Sequence, residues 1–340
     1  MEKPILAIFD SEEKYVYGLM EFLSSKPNLP FQIHVFTEKD KFFQYSKKEE
    51  MEYLLISERV YQKEVEALPV SHIIVLSENK DAMNATLAHI YKYQSCETIY
   101  KELLEYYSNS AEATNHILRN KNQKMKIIGI YTPIGRCLQT TFSITLGQLL
   151  AKRARVLYLN FERYSGLSSM LHRNFKNDLS DFMYYFQCAK EKMSLRLESM
   201  VETVNGLDFI PPVEIYQNLL GIQGKQWMEL FYEMEKNSDY DYLILDLADE
   251  LMDLWEILRN CSLVYTITRG DGMAMAKMEQ YEKALHFMEY EDVLIKTKKL
   301  QFPIFRELPM HFEELTYGEL AAYLKKNILP EIMGGQEDVP

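Results

Sequence analysis

The sequence predicts an α/β protein of two domains, and three observations support this. The chain has 340 residues, which exceeds the length of one typical domain. Short apolar runs alternate with helical patterns from the first residues onward, which favours parallel sheets covered by helices. A polar segment at residues 108–125 divides this alternation into two series. We therefore expect one sheet on each side of that segment.

The first series, residues 1–107, predicts a five-stranded domain. A helical pattern over Tyr15–Ser24 separates the first two strands, and an amphipathic stretch at Glu97–Tyr107 closes the domain. The predicted strands are Pro4–Phe9, Phe31–Phe36, Tyr53–Ile56, His72–Leu76 and His89–Tyr93.

The second series, residues 126–330, predicts another buried parallel sheet, because strands such as VLYL and LILD are apolar on both faces. The segment at 108–125 is predicted to be a solvated linker, and residues 331–340 a flexible tail. The predicted strands are Ile127–Tyr131, Val156–Asn160, Leu207–Ile210, Tyr242–Asp246 and Ser262–Thr268.

Composition narrows the class of function. The formal net charge of −12 argues against broad attraction to nucleic acid, and we expect no nucleic-acid partner. The four cysteines form no CxxC pair, which argues against a disulfide framework or zinc site and favours a reducing compartment. The start does not resemble a signal peptide, and no apolar run is long enough to span a membrane. We expect a cytoplasmic protein, polar or peripheral to the inner membrane face at most.

Residues 127–162 carry the strongest local signal: a strand, a loop, a helix over Gln139–Lys152 and a second strand. Such a loop directs backbone N–H groups and the positive end of the helix dipole toward an anion. Thr140 and Thr141 fall in the first helical turn, where one hydroxyl caps the helix and the other reaches a phosphate-bound Mg²⁺. The phosphate-loop pattern G-x-x-x-x-G-K-[ST] has four defined positions. In this chain Pro133, Leu138, Gln139 and Thr140 occupy them in that order, so both glycines and the lysine are absent.

Two acidic residues follow neighbouring strands. Glu162 ends the segment Asn160-Phe161-Glu162, where it is placed to face a γ-phosphate or an attacking water. Asp246 ends the apolar strand LILD, which is where a Walker-B residue holds a magnesium-bound water. The alternative is that Asp246 merely terminates a buried strand.

These residues resemble the MinD/ParA group of deviant-Walker P-loop ATPases, most of all the pilus-positioning TadZ/CpaE branch, over residues 125–325. Both lysines of that group's loop, K-G-G-V-G-K-T-T, are absent here and one glycine of three remains. Its eight positions align with Ile134, Gly135, Arg136, Cys137, Leu138, Gln139, Thr140 and Thr141. Asp246 matches the Walker-B position, and Asn160-x-Glu162 matches a switch motif whose first acid is neutral. The resemblance implies a P-loop NTPase-like sheet with a nucleotide site at these residues.

The resemblance extends to residues 1–107, which are similar to a flavodoxin-like receiver domain. A receiver needs an acidic pair, a phosphorylatable Asp, a Ser/Thr and a Lys after successive strands. The aligned residues here are Asp10 with Glu12, then Ser57, Ser77 and Lys92. Serine cannot form the acyl phosphate of that chemistry, so we expect a docking or dimerisation module.

The resemblance implies a dimerising localisation or assembly factor for a Tad/Flp-type pilus, with pilus or secretion proteins as partners. Loss of the phosphate-loop lysine removes a contact worth roughly 1.5 to 3 kcal/mol, so ATP and magnesium would bind weakly or not at all. One alternative is an active ATP-dependent positioning switch in which Arg136 replaces the lysine. Another is a small-molecule kinase or synthetase on the same fold.

Overall fold

A computed structural model of the chain describes residues 3–80, 87–110, 113 and 124–334. The chain divides into two compact units, residues 1–117 and 118–340. Most of the expected linker at 108–125 and of the expected tail at 331–340 lies outside the described residues. Among the described helices, none has the length and apolarity needed to cross a bilayer.

The described residues of the first unit form five strands, three α-helices and a short 3₁₀ helix at Lys63–Ala67. All five strands predicted from the sequence are present, with ends shifted by up to two residues. The strands are β1 Ile5–Phe9, β2 Gln32–Phe36, β3 Met51–Ser57, β4 Val70–Ser77 and β5 Ala88–Tyr91. The helices are α1 Glu13–Ser24, α2 Lys39–Ser46 and α3 Cys96–Asn109.

The first sheet is fully parallel in the order β2-β1-β3-β4-β5, which is the flavodoxin-like order. Leu6 of β1 pairs with Ile33 on one side and Tyr53 on the other. Because all strands run the same way, the residues following β1, β3, β4 and β5 meet at one edge of the sheet. This edge collects the polar residues singled out in the sequence.

The second unit contains seven strands and ten α-helices among its described residues. The strands are β6 Lys126–Ile130, β7 Val156–Asn160, β8 Glu202–Val204, β9 Leu207–Phe209, β10 Tyr242–Asp246, β11 Leu263–Thr268 and β12 Thr297–Gln301. The helices are α4 Gln139–Leu150, α5 Leu167–Leu171, α6 Leu179–Cys188, α7 Met193–Met200, α8 Gly224–Asn237, α9 Leu254–Asn260, α10 Gly272–Phe287, α11 Glu291–Ile295, α12 Glu319–Asn327 and α13 Leu329–Ile332.

The second sheet has the order β12-β11-β6-β10-β7-β9-β8, and every pair except β8 with β9 is parallel. In this register Asp246 of β10 pairs with Ile130 of β6 on one side and Asn160 of β7 on the other. The loop after β6 and the acids after β7 and β10 therefore share one sheet edge. This arrangement is consistent with a P-loop NTPase fold.

Helix α4, which follows the loop, is buried along most of its length against the sheet. Gly147 permits this close packing, since a Cβ there would lie 2.8 Å from the Leu207 side chain. Two strands were not predicted. β12 is an edge strand in which no residue is fully buried. β8 is a three-residue strand that forms a hairpin with β9 through Asn205 and Gly206.

Candidate functional site

The loop between β6 and α4 has three residues in the left-handed region. Gly135 has φ 72°, Arg136 has φ 51° and Leu138 has φ 68°. These are the three positions that hold glycine in the loop of the MinD/ParA group. The backbone thus keeps a left-handed path at positions where two glycines have been replaced, which costs about 1 kcal/mol or more at each non-glycine residue.

Side chains fix this loop to the end of β11. The Thr132 hydroxyl donates to the Ile267 carbonyl at 2.6 Å and accepts from the Ile134 N–H at 3.3 Å. Cys137 is buried with its Sγ 3.9 Å from the same carbonyl, and burial raises the pKa of its thiol. The thiol is therefore protonated and packs, while Gly135 and Arg136 stay exposed.

Gln139 occupies the lysine position of the loop, and its side chain is directed inward. Its Nε2 donates to Asp246 Oδ1 at 2.6 Å and to the Leu247 carbonyl at 2.8 Å. The residue is buried, so both bonds form away from water. The amide therefore takes up both of its donors within the protein.

Asp246 is fully buried, and its carboxylate is surrounded by neutral donors. Oδ2 accepts from the Tyr158 hydroxyl at 2.9 Å and from Asn160 Nδ2 at 3.1 Å, while Oδ1 accepts from Gln139. Burial, and then the nearby Glu162, raise the pKa of Asp246 to about 7, against the effect of these hydrogen bonds. Burial thus favours the protonated form of this acid. We call Gln139, Tyr158, Asn160 and Asp246 the buried polar cluster.

Tyr158 is the member of this cluster that the sequence analysis missed. It is fully buried on β7, and Asn160 Nδ2 donates to its hydroxyl at 2.8 Å. Burial and the charge of Asp246 raise the pKa of Tyr158 well above its ordinary value. The phenol therefore keeps its proton and acts as a donor to the carboxylate. Within an apolar strand, nothing in the sequence distinguishes this tyrosine from a packing residue.

Glu162 and Thr140 lie at the open side of the cluster. The Glu162 N–H donates to Asn160 Oδ1 at 3.0 Å. Burial raises the pKa of Glu162, and hydrogen bonding from Thr140 opposes that shift. Hydrogen bonding from Thr140 also lowers the pKa of Asp246. The fold therefore brings Thr140, Glu162 and Asp246 together. Thr141 lies in the same helical turn, and its carbonyl accepts from Thr145 Oγ1 at 2.6 Å.

The residues in this arrangement do not fit a magnesium–ATP complex. The Asp246 oxygens already accept three hydrogen bonds, and no water reaches them. The lysine position carries a neutral amide turned away from the loop, which leaves Arg136 as the cation within residues 134–141. Across the described ranges, no group of three or more His, Cys, Asp or Glu side chains is arranged to hold a metal ion.

The first unit holds a second cluster at the equivalent edge of its sheet. Lys92 Nζ lies 2.6 Å from Asp10 Oδ2 and 3.1 Å from Glu12 Oε1, and the Lys92 and Asp10 side chains are fully buried. Burial works against the ammonium charge, but hydrogen bonds with Asp10 and Glu12 outweigh it and raise the pKa of Lys92. Its backbone N–H also donates to the Ser77 carbonyl at 2.8 Å.

The remaining polar residues close this cluster. Ser57 is buried, and its hydroxyl accepts from the Arg59 N–H at 3.4 Å. The Arg59 guanidinium lies 2.5 Å from Glu12 Oε1 and 2.5 Å from Glu78 Oε1. The Ser77 hydroxyl donates to Glu58 Oε2 at 3.0 Å. The five predicted residues therefore gather at one edge, and Arg59, which was not predicted, pairs with their exposed acid.

Comparisons with solved structures find proteins that are similar to part of this chain. A MinC–MinD cell division complex of Aquifex aeolicus matches 53% of this chain and 69% of its own at 16% identity and TM-score 0.40. A Cyanothece McdA variant in complex with ATP matches 53% and 70% at 15% identity and TM-score 0.42. A ParA family ATPase of Chlorobium tepidum matches 61% and 95% at 17% identity and TM-score 0.43.

No protein-family model and no curated protein matches the sequence. The structures named above are MinD/ParA-type P-loop ATPases. At these identities and TM-scores, the description of the fold rests on the strand order and loop geometry of the described residues of the second unit.

Proposed function

We propose that this protein is a TadZ/CpaE-like localisation or assembly factor for a Tad/Flp-type pilus, and that it acts as a dimerising scaffold on a degenerate ATPase fold. The observation that carries the proposal is the hydrogen bond from Gln139 to Asp246. It joins the position that lost its lysine to the position that would hold magnesium. The Gln139 amide and the Asp246 carboxylate therefore satisfy each other's hydrogen bonding without a nucleotide.

The energetics of the buried polar cluster support a structural role. A buried carboxylate is tolerated when neutral donors satisfy it, and removing one of them costs about 1 to 3 kcal/mol. Binding a magnesium–phosphate group at this edge would require Asp246 to give up those donors. No lysine is present in the loop to balance the phosphate charge and offset that loss.

The cluster at Lys92 supports a docking role for residues 1–107. Its acids are already neutralised by Lys92 and Arg59, and Ser57 stands where a receiver would carry its phosphorylated aspartate. We therefore propose a receiver-like module that is not phosphorylated, so that the pairing of its charged residues does not change. Such a module presents a constant surface to a partner or to a second copy.

The alternative is an active ATP-dependent positioning switch, and one observation favours it. The loop retains positive φ at residues 135, 136 and 138, so its backbone path suits an anion although its side chains do not. Arg136 is exposed and within the loop. In this alternative, Arg136 supplies the charge that the lysine once supplied.

Complementation in a pilus-bearing host separates the two functions. Deletion of the gene should abolish surface pili, and expression of the Thr140→Ala or Arg136→Ala variant should restore them. If deletion leaves pili intact, the proposed pilus role is wrong. If deletion removes pili and neither variant restores them, the proposed scaffold function is wrong and the ATP-dependent switch is supported.

Dimerisation is tested separately on the purified chain. Light scattering after size-exclusion chromatography should give the mass of a dimer, and added magnesium–ATP should leave that mass unchanged. A monomer that dimerises only with magnesium–ATP would contradict the proposed scaffold.

A further inference from the structure

Strand β12 ends the second sheet, and its outer edge carries unpaired backbone groups. Among the described strands β12 pairs with β11 alone, and the Val264 N–H donates to the Lys296 carbonyl at 3.1 Å. The backbone groups of successive strand residues point to opposite sides, so those of Thr297, Lys299 and Gln301 point away from β11. Within the described part of the chain these groups form no hydrogen bond with another backbone group. The edge is therefore open to a further strand.

Exposed apolar side chains lie at both ends of this edge. Ile295, two residues before the strand, is 85% exposed, and Ile304, three residues after it, is 98% exposed. The edge strands β2 and β8 have no exposed large apolar residue within three residues of either end. Large apolar side chains that are grouped in water indicate an interaction surface. This feature distinguishes β12 from those two edge strands.

The two lysines of β12 do not close the edge. Free charges on an edge strand oppose pairing with another chain. Here Lys298 forms an ion pair with Glu331 of α13, and Lys299 forms one with Glu282 of α10. Because successive side chains point to opposite faces of a sheet, the two ion pairs lie above and below the edge. The charge of each lysine is therefore balanced within the second unit.

We propose that β12 pairs in antiparallel register with β12 of a second copy of this chain, so that the two second sheets become continuous. Identical strands related by a two-fold axis must run antiparallel. A pair centred on Lys299 places Thr297 of each copy opposite Gln301 of the other. The outward N–H groups of one copy then meet the outward carbonyls of the second.

The flanking residues and the charges favour a second copy over an unrelated strand. In an antiparallel pair the start of one strand lies beside the end of the other, so Ile295 of one copy approaches Ile304 of the second. The two copies of Lys299 lie on one face of the joined sheet, each with its own Glu282 beside it. The centre of the interface thus contains two lysines and two glutamates and carries no net charge.

This inference rests on the proposed function for the existence of a dimer, and it assigns a surface to that dimer. In the sheet, β11 separates β12 from β6, the strand that leads into the phosphate loop. The assigned surface is therefore a lateral edge of the sheet, whereas the phosphate-loop residues lie at the ends of its strands.

Sedimentation velocity of the full chain over a concentration series tests the flanking contacts. Ile304→Asp places a charge at each end of the interface and should weaken dimerisation at least tenfold. Tyr164→Asp is the matched control, because Tyr164 is 84% exposed and follows β7, four strands away in the sheet. The control should dimerise like the wild type. A dimer lost in the control and kept in Ile304→Asp would overturn the proposal.

A proline variant tests the backbone pairing. Lys299→Pro removes the N–H at the centre of the edge, a position where proline is tolerated because this N–H points away from β11. It should weaken dimerisation at least tenfold, whereas Lys299→Ala, which keeps the N–H, should weaken it less than threefold. Should Lys299→Pro fail to fold, amide hydrogen exchange of the wild type replaces it. Exchange over Thr297–Gln301 should slow at least threefold as the dimer forms, while exchange in β8 stays unchanged.

The outcomes separate this inference from the proposed function. A dimer that survives both Ile304→Asp and Lys299→Pro, or that forms without slower exchange in β12, would overturn the assigned surface and leave the dimerising scaffold intact. A wild-type chain that stays monomeric throughout the series would contradict the scaffold as well. The pilus role is tested independently by complementation.

Discussion

The two polar clusters lie at corresponding edges of two parallel sheets, yet they are built differently. The cluster of the first unit contains two acids and a buried lysine. The cluster of the second unit contains a buried acid and no lysine. Asp10 is therefore neutralised by a buried ammonium at 2.6 Å, whereas Asp246 is held by three neutral donors. The difference shows that a buried carboxylate can be retained by charge or by hydrogen bonds alone.

The largest effect is expected from breaking the buried ion pair of the first unit. Lys92→Met would leave Asp10 charged and buried without a counter-ion, which should cost about 3 to 5 kcal/mol. Urea denaturation followed by far-UV circular dichroism measures it. Both tryptophans, Trp227 and Trp255, lie in the second unit, so the fluorescence transition should not move. The exposed Lys14→Met is the matched control, and an equal loss there would contradict the assignment.

The second unit should lose stability as pH rises from 5 to 8. The raised pKa of Asp246 means that folding favours its protonated form, so its contribution to stability is fully present at low pH and is lost as pH rises through about 7. Between pH 5 and 8 the fall should be roughly 2 to 3 kcal/mol. The raised pKa of Lys92 gives a slope of the same sign in a higher pH range, because its contribution to stability is lost only as pH rises above its ordinary value of 10.5.

Tryptophan fluorescence in urea at several pH values measures this slope. The Asp246→Asn variant should be nearly flat, with a small residual slope of the same sign from Glu162, whose pKa is also raised. A wild-type slope no steeper than that of Asp246→Asn would show that Asp246 is not the titrating group.

A smaller loss of stability is expected when Gln139, one of the neutral donors to Asp246, is replaced. Gln139→Leu deprives Asp246 Oδ1 of its partner and should cost about 1 to 2 kcal/mol at pH 8. The cost should shrink at pH 5, where the protonated acid needs its acceptor bonds less. Equal costs at the two pH values would indicate lost packing, in which case Gln139 does not stabilise the charge.

The smallest effect concerns the loop backbone. Arg136 is exposed with φ 51°, so Arg136→Gly should stabilise the second unit by about 0.5 to 1 kcal/mol by removing left-handed strain. Arg136→Ala removes the same side chain but keeps the strain, and should be near neutral. Thermal unfolding compares the two, and a Gly variant no more stable than the Ala variant would show that the loop is unstrained.

Much of the fold was predictable because its strands are buried on both faces. Runs such as VLYL and LILD cannot be solvated, and the structure confirms them as β7 and β10. β12 escaped prediction because Thr297–Gln301 is a lysine-containing edge strand with no apolar run and no fully buried residue. The β8–β9 hairpin carried a usable signal, since Asn205-Gly206 with φ 51° and 80° is the dipeptide that favours a tight hairpin turn.

The candidate site was predictable in its positions and not in its contacts. Thr140, Glu162 and Asp246 could be selected because they follow strands that share a sheet edge. That Gln139 turns inward to Asp246, 107 residues away, depends on side-chain direction, which spacing does not reveal. Tyr158 and Arg59 were missed for the same reason, because each has a partner distant in sequence and no motif of its own.

The central claim is that the phosphate-loop residues form a closed structural cluster, and ligand-dependent thermal stability tests it most directly. Wild-type protein is heated with and without millimolar magnesium–ATP, beside the Thr140→Ala variant, while tryptophan fluorescence follows the second unit. The account predicts no change in melting temperature on adding magnesium–ATP to either protein. A rise of several degrees in the wild type that Thr140→Ala abolishes would contradict it.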